Sequence, residues 1–194
     1  ITPPSAEEQK AIYAAFYSIA DDKTLFVGAK HSKKFTIAKR IVLGDDFDEK
    51  SRPYLSIATQ DKRVTKLRLE FSPADIGVGG MTSLHAALVV FLPNGWQFAV
   101  ENGLATKIEV TVDIPKVHIA NLHFLPSQTT SARTWSNSGQ LQTLVLGKAK
   151  SGKQIRIYDR AAKRAAMGQF PSEYEGTRVE AIFRLARPIS KLKE

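Results

Sequence analysis

The chain has 194 residues, 43% of them hydrophobic and 24% charged, with 28 Lys and Arg against 19 Asp and Glu and no cysteine. Disulfides, thiolate metal sites and cysteine nucleophiles are therefore excluded, and no apolar run approaches the roughly 20 residues that span a bilayer. A formal charge of +9 and a pI near 9.8 point to a polyanionic partner, with nucleic acid favoured because no basic stretch is also an amphipathic membrane-lying helix.

The chain opens at Ile1 without a methionine or a cleavable apolar leader, and is expected to be a domain cut from a longer cytoplasmic protein. Ser5 followed by Glu7 and Glu8 predicts a capped helix over about 6 to 20, with Ala11, Ile12, Ala15, Phe16 and Ile19 as its apolar stripe. Short strands are expected at 25–27 and 35–37. Asp45, Asp46, Asp48 and Glu49 lack the alternate-ligand spacing of a calcium loop and read as a solvated turn. The runs 54–59 and 64–71 read as a hairpin.

Gly77, Gly79 and Gly80 fit no phosphate-loop or dinucleotide fingerprint and read as a loop before a helix over 82–92. From 106 to 114, Ile108, Val110, Val112 and Ile114 alternate with Lys107, Glu109, Thr111 and Asp113, which predicts a strand with one buried and one polar face. The segment 118–125 reads as helix or extended chain. Its His118 and His123 lack the spacing of a zinc-protease motif. The polar stretch 126–138 reads as a loop, with Trp135 beside Arg133 as a candidate base-stacking residue.

Strands at 141–146 and 154–158 are expected to pair across a basic glycine turn that carries Lys148, Lys150 and Lys153. A short helix over 160–167 and a strand over 177–185 follow. Alternation in the second of these strands buries Ile155 and Ile157 and presents Arg156 and Tyr158. If 106–114, 154–158 and 177–185 are neighbours, Glu109, Asp113 and Glu180 share one surface with Arg156, Tyr158 and Arg178. Clustered carboxylates suit Mg²⁺ or Mn²⁺, and nearby cations such as Arg156 and Arg160 would favour a nucleophilic phenolate.

Four stretches carry a family resemblance: LRLEFSP at 67–73, GLATKIEVTVD at 103–113, LGKAKSGKQIRIYDRAAK at 146–163 and TRVEAIFR at 177–184. In order and spacing they resemble the rolling-circle plasmid replication initiators of the Rep_trans type, together with related relaxases of integrative elements and filamentous-phage replication proteins. The resemblance covers about 65–185. Glu109 stands where that pattern usually has aspartate, and Lys163 where it generally has glutamate.

The resemblance implies an α+β fold, a mixed and mainly antiparallel sheet with helices packed on one face. Its catalytic part would cover 61–194, with 1–60 as an integral or accessory region, or with 1–194 as one continuous domain. It implies a metal-dependent tyrosine DNA endonuclease and strand transferase. Tyr158 would attack a phosphodiester, giving a 5′-phosphotyrosyl intermediate and a free 3′-hydroxyl, with Arg156 and Lys163 as its catalytic neighbours.

The same resemblance places Mg²⁺ or Mn²⁺ on Glu109, Asp113 and Glu180, and DNA on Lys148, Lys150, Lys153, Arg160, Arg164, Arg178 and Arg184. The expected partner is DNA, single-stranded or cruciform, at an origin or transfer site. A host helicase and a second copy of the chain are further expected partners, and a membrane is not. Two other readings stand beside this one: a non-catalytic DNA-binding module on the same fold, and a protein-interaction domain that uses the sheet as its surface.

Overall fold

The computed structural model describes residues 1–30, 33–45, 47–123, 132–137, 139–148, 151–166, 168 and 176–192. The chain is α+β, and it divides into two compact units, one of residues 1–104 with 187–194 and the other of 105–186. A boundary at 60 would fall in the turn of the β3–β4 hairpin described below, whose strands are paired along their length. Among the described residues, no helix is long and apolar enough to cross a membrane.

In the first unit, helix α1 (Ala6–Ile19) starts where the sequence predicts. The Ser5 hydroxyl accepts from the Glu8 amide at 3.1 Å and the Glu8 carboxylate accepts from the Ser5 amide at 3.1 Å, a reciprocal cap worth about 1 kcal/mol. The apolar stripe buries Ile12 and Phe16, and the Phe16 ring packs 5.5 Å from Phe26 and 5.6 Å from Phe91. The four-stranded antiparallel sheet runs in chain order: β1 (Phe26–Gly28), β2 (Ile37–Ile41), β3 (Tyr54–Gln60) and β4 (Arg63–Glu70). The predicted hairpin is β3–β4. The second short strand lies later than the expected 35–37.

Helix α2 (Pro73–Val89) absorbs the glycines expected to form a loop. Gly77, at φ 59° and ψ −170°, interrupts it, a left-handed φ that only glycine adopts without strain. Gly80 then returns to helix with its Cα against Ile76 and Phe47, where a Cβ would come within 2.6 Å of the Ile76 side chain. A further helix, α3 (Trp96–Asn102), was not expected from the sequence. The C-terminal segment returns to this unit, where the Ile189 amide donates to the Gly103 carbonyl at 3.0 Å.

After the short strand β5 (Leu104–Ala105), the second unit is built on a five-stranded antiparallel sheet of order β6-β10-β9-β8-β7. Its strands are β6 (Ile108–Pro115), β7 (Ala132–Asn137), β8 (Gln140–Leu146), β9 (Lys153–Asp159) and β10 (Gly176–Phe183). Helix α4 (Arg160–Ala166) follows β9 directly and buries none of its residues. On one face Leu144, Leu146 and Ile157 pack with Ile119 from a 3-10 turn at Ile119–Asn121, and on the other Val145, Tyr158 and Ile182 are also buried.

Two expectations fail here. The stretch 132–137, expected as loop, is strand β7; its residues are all exposed, so it carries no apolar alternation to announce it. The rest of that expected loop, 126–131 and 138, lies outside the described residues. Strand β6 does alternate, yet its apolar side is not buried: Val110 and Val112 are 51% and 56% exposed. As an edge strand it borders only β10, beyond the reach of the Ile119 cluster.

Candidate functional site

The register of the second sheet brings the sequence-predicted polar residues to one face. In an antiparallel sheet, directly opposed residues share a face. Asp113 opposes Arg178, Arg178 opposes Tyr158, Tyr158 opposes Thr143 and Thr143 opposes Trp135. One pleat along, Thr111, Glu180, Arg156, Val145 and Arg133 form a second row, and Glu109 opposes Ile182 in a third. This is the juxtaposition that the three alternating strands imply.

Tyr158 sits at the middle of the first row and is 6% exposed. Its hydroxyl donates to Glu180 Oε1 at 2.5 Å, and Lys163 of α4 places its Nζ 4.0 Å from the centre of the ring. Burial pushes the phenol above its ordinary pKa, the Glu180 hydrogen bond pushes it further, and Lys163 opposes both. Tyr158 is therefore held as a phenol facing a proton acceptor. The expected phenolate, stabilised by Arg156 and Arg160, is not what the geometry produces.

Those two arginines are engaged elsewhere. Arg156 donates from Nε to Gln154 Oε1 at 3.2 Å. Arg160 donates to Asp113 Oδ2 at 2.8 Å, tying the start of α4 to edge strand β6. Arg178 grips the same carboxylate as a fork, Nε to Oδ1 at 2.6 Å and Nη2 to Oδ2 at 2.8 Å. The Arg178 hydrogen bonds hold Asp113 below the usual carboxylate range, and Arg160 and Arg164 add to the effect.

The three expected metal ligands share the face but do not converge. Glu109 and Asp113 stand four residues apart on β6, about 13 Å along the strand. Glu109 pairs with Lys107, Asp113 with Arg178 and Arg160, and Glu180 with Tyr158. Among the described residues, no three His, Asp or Glu side chains form a group that could hold a metal ion. The set Glu109, Asp113 and Glu180 does not fit one Mg²⁺ or Mn²⁺ ion.

The expected DNA-binding cations separate into two groups. Arg160, Arg164 and Arg178 lie at the Tyr158 end, with Lys163 and Arg156. Lys148, Lys153 and Arg184 lie at the other end of β9, where the Arg184 amide donates to the Gly152 carbonyl at 2.8 Å. Five residues of strand, about 17 Å, separate Lys153 from Tyr158, so the basic turn does not surround the phenol. Lys150 lies outside the described residues. Residues 105–186 contain twelve Lys and Arg against six Asp and Glu, so +6 of the chain's +9 belongs to this unit.

Sequence reasoning missed three features of the site. The α4 contact on Tyr158 depends on how the helix folds back. Trp135, 50% exposed with the Arg133 guanidinium 5.9 Å from its ring centre, falls in the Tyr158 row only because β7 is a strand. His118 accepts from the Ala120 amide through Nδ1 at 3.2 Å and sets Nε2 3.1 Å from Asp159 Oδ2, which makes it a local brace behind the tyrosine.

The fold and site together define a class: an α+β chain whose basic antiparallel sheet carries a tyrosine paired with a carboxylate. Among solved structures, the chain is similar to a rolling circle replication initiator protein from Geobacillus stearothermophilus, with 15% identity and a TM-score of 0.47. The match covers 91% of this chain and 66% of that one, so the chain spans just under two thirds of its length. No protein-family model matches the sequence, and no curated protein does.

Proposed function

We propose that the chain is a DNA-nicking and strand-transferring domain of the replication-initiator or relaxase kind, with Tyr158 as its nucleophile. The observation that carries this reading is the Tyr158–Glu180 hydrogen bond on a sheet face that also holds Lys163 and Arg178. The motif resemblance around 146–163 supports it. In the reaction, Tyr158 Oη bonds to the phosphorus of a phosphodiester as its proton passes to Glu180 Oε1. The P–O3′ bond breaks, the departing oxygen takes a proton from water, and a free 3′-hydroxyl leaves the 5′-phosphate on Tyr158. Return attack by a 3′-hydroxyl rejoins the strand.

Lys163 and Arg178 are placed to offset the charge that gathers on the phosphate oxygens. The near-buried phenol has to be uncovered first, and the exposed Lys163 side chain seated on its ring can swing aside to meet the incoming phosphate while Arg160 keeps α4 tied to Asp113. No metal step belongs to this reaction as drawn; Mg²⁺ and Mn²⁺ enter the assay as separate arms.

The test is incubation of the chain with end-labelled single-stranded DNA of varied sequence, with Mg²⁺, with Mn²⁺ and with chelator, read on a denaturing gel. A protein-linked band that is absent from Tyr158→Phe is expected. A second reading, a DNA-binding module without cleavage, is favoured by the 6% exposure of Tyr158 and by Lys163 seated on its ring. It predicts salt-sensitive binding and no covalent band under any metal condition.

A further inference from the structure

The row through Tyr158 ends on either side in a feature that suits the face of an unpaired base. On one side is Trp135, two strands away at about 10 Å, half exposed and flanked by the Arg133 guanidinium. On the other is Asp113, also two strands away, beside a cavity of about 190 Å³ walled by Ile114, Pro115 and Arg160. Gly176 and Thr177 also line it, and the Gly176 Cα lies so near the Ile114 carbonyl that a Cβ would come within 2.2 Å of it.

Neither feature suits a phosphate. Trp135 offers an aromatic face, and base stacking on such a ring is tolerant of sequence because every base has one. The cavity is walled in part by Ile114 and Pro115, the Asp113 carboxylate at its rim already occupies donors of Arg178 and Arg160, and the flat Arg160 guanidinium offers a plane to a base. Its volume is below the roughly 300–1,000 Å³ of sites for drug-sized ligands, which fits a single base better than a larger group. Paired bases keep their faces inside the duplex, so only a single strand uses both ends.

We infer that single-stranded DNA crosses the second sheet along the row Trp135, Thr143, Tyr158, Arg178, Asp113, perpendicular to the β-strands. One base stacks on Trp135 and another, on the far side of Tyr158, enters the Ile114–Pro115–Arg160 cavity. This rests on the nicking reading for its choice of ligand. It adds the path of the strand and the two positions at which a base is held, so that the phosphates between them pass over the phenol.

The test uses the full chain carrying Tyr158→Phe, which binds without cleavage, and a thymidine oligonucleotide of about ten residues with a duplex of the same length beside it. With Trp96→Phe added, Trp135 is the sole tryptophan, and its selectively excited emission is expected to be quenched by the single strand and not by the duplex. Trp135→Ala should weaken single-strand binding roughly 5- to 150-fold. Arg160→Lys keeps the charge and loses the plane, so it should weaken binding at an unchanged salt slope. A single abasic nucleotide moved along the strand should cost affinity at two separated positions, one silenced by Trp135→Ala and the other by Arg160→Lys.

Unquenched emission, Trp135→Ala binding within twofold of its parent, or equal affinity at every abasic position overturns the path. If the path fails while Tyr158 still forms its adduct, the nicking reading stands without it. If the quench and both abasic positions appear but no adduct forms with the tyrosine restored, the path stands on a face that binds and does not cut.

Discussion

Replacing Glu180 with glutamine separates the charge of the Tyr158 partner from its shape. The phenol donates to Glu180 at 2.5 Å in the native chain, and glutamine keeps a carbonyl acceptor of the same reach. A hydrogen bond to a charged group contributes about 1.5–3 kcal/mol and a neutral one about 0.5–1.5 kcal/mol. The difference, about 1 kcal/mol, is the expected destabilisation near neutral pH. For a unit of 82 residues, 105–186, it corresponds to a fall in Tm of about 4–8 °C.

The sign with pH follows from the raised phenol. Tyr158 titrates above its unfolded value of about 10, so its contribution is whole below that value and is lost as pH rises through the folded one. Burial remains in Glu180→Gln, but the charge and the charged hydrogen bond do not, so the variant's phenol ionises earlier and its stability gap to the wild type narrows at high pH. Thermal melts from about pH 7 to pH 11, with the phenolate absorbance followed in parallel, measure both. Equal stability of the two proteins at about pH 8, or a later ionisation in the variant, would refute the hydrogen bond.

Ile157, 3% exposed among Leu144, Leu146 and Ile119, should cost about 2–5 kcal/mol when cut to alanine, read by urea unfolding. Asp113→Ala removes the tie between α4 and β6 for less than about 1 kcal/mol, since that carboxylate is partly exposed; because its folded pKa is depressed, the contribution exists above about pH 4 and disappears as pH falls through the folded value, so wild type and variant should converge in acid. Single-strand binding should show a log–log salt slope of about −3, as expected if roughly four cations near Tyr158 (Arg156, Lys163, Arg164 and Arg178) meet phosphates; Lys148→Ala with Lys153→Ala should leave covalent adduct formation unchanged.

Much of the site was legible in the sequence because it rests on local alternation. Strands β6, β9 and β10 each write their faces with period two, and the polar set Glu109, Asp113, Arg156, Tyr158, Arg178 and Glu180 could be gathered before any register was known. What alternation does not carry is which residue opposes which. That depends on β10 lying between β6 and β9, a long-range pairing, and it decides that Glu180 meets Tyr158 while Asp113 meets two arginines. That register also keeps Glu109, Asp113 and Glu180 apart, since sharing a face is not sharing a point.

Other misses have equally local causes. Strand β7 exposes all its residues, so Ser, Thr and Asn in it read as loop, and the place of Trp135 in the Tyr158 row went with it. Helix α2 reads as broken because Gly77 does break its dihedral angles, yet the chain resumes the helix immediately after. The alternation of β6 was right and its burial wrong, because an edge strand keeps the pattern of a sheet without the cover of a core.

The most direct measurement is the covalent one: denaturing electrophoresis of labelled single-stranded DNA after incubation with wild type and with Tyr158→Phe, across Mg²⁺, Mn²⁺ and chelator. A wild-type band is expected in which protein stays attached to the 5′ side of the break, with a free 3′-hydroxyl on the other fragment, and neither in the variant. An undiminished protein-linked band from Tyr158→Phe would contradict it.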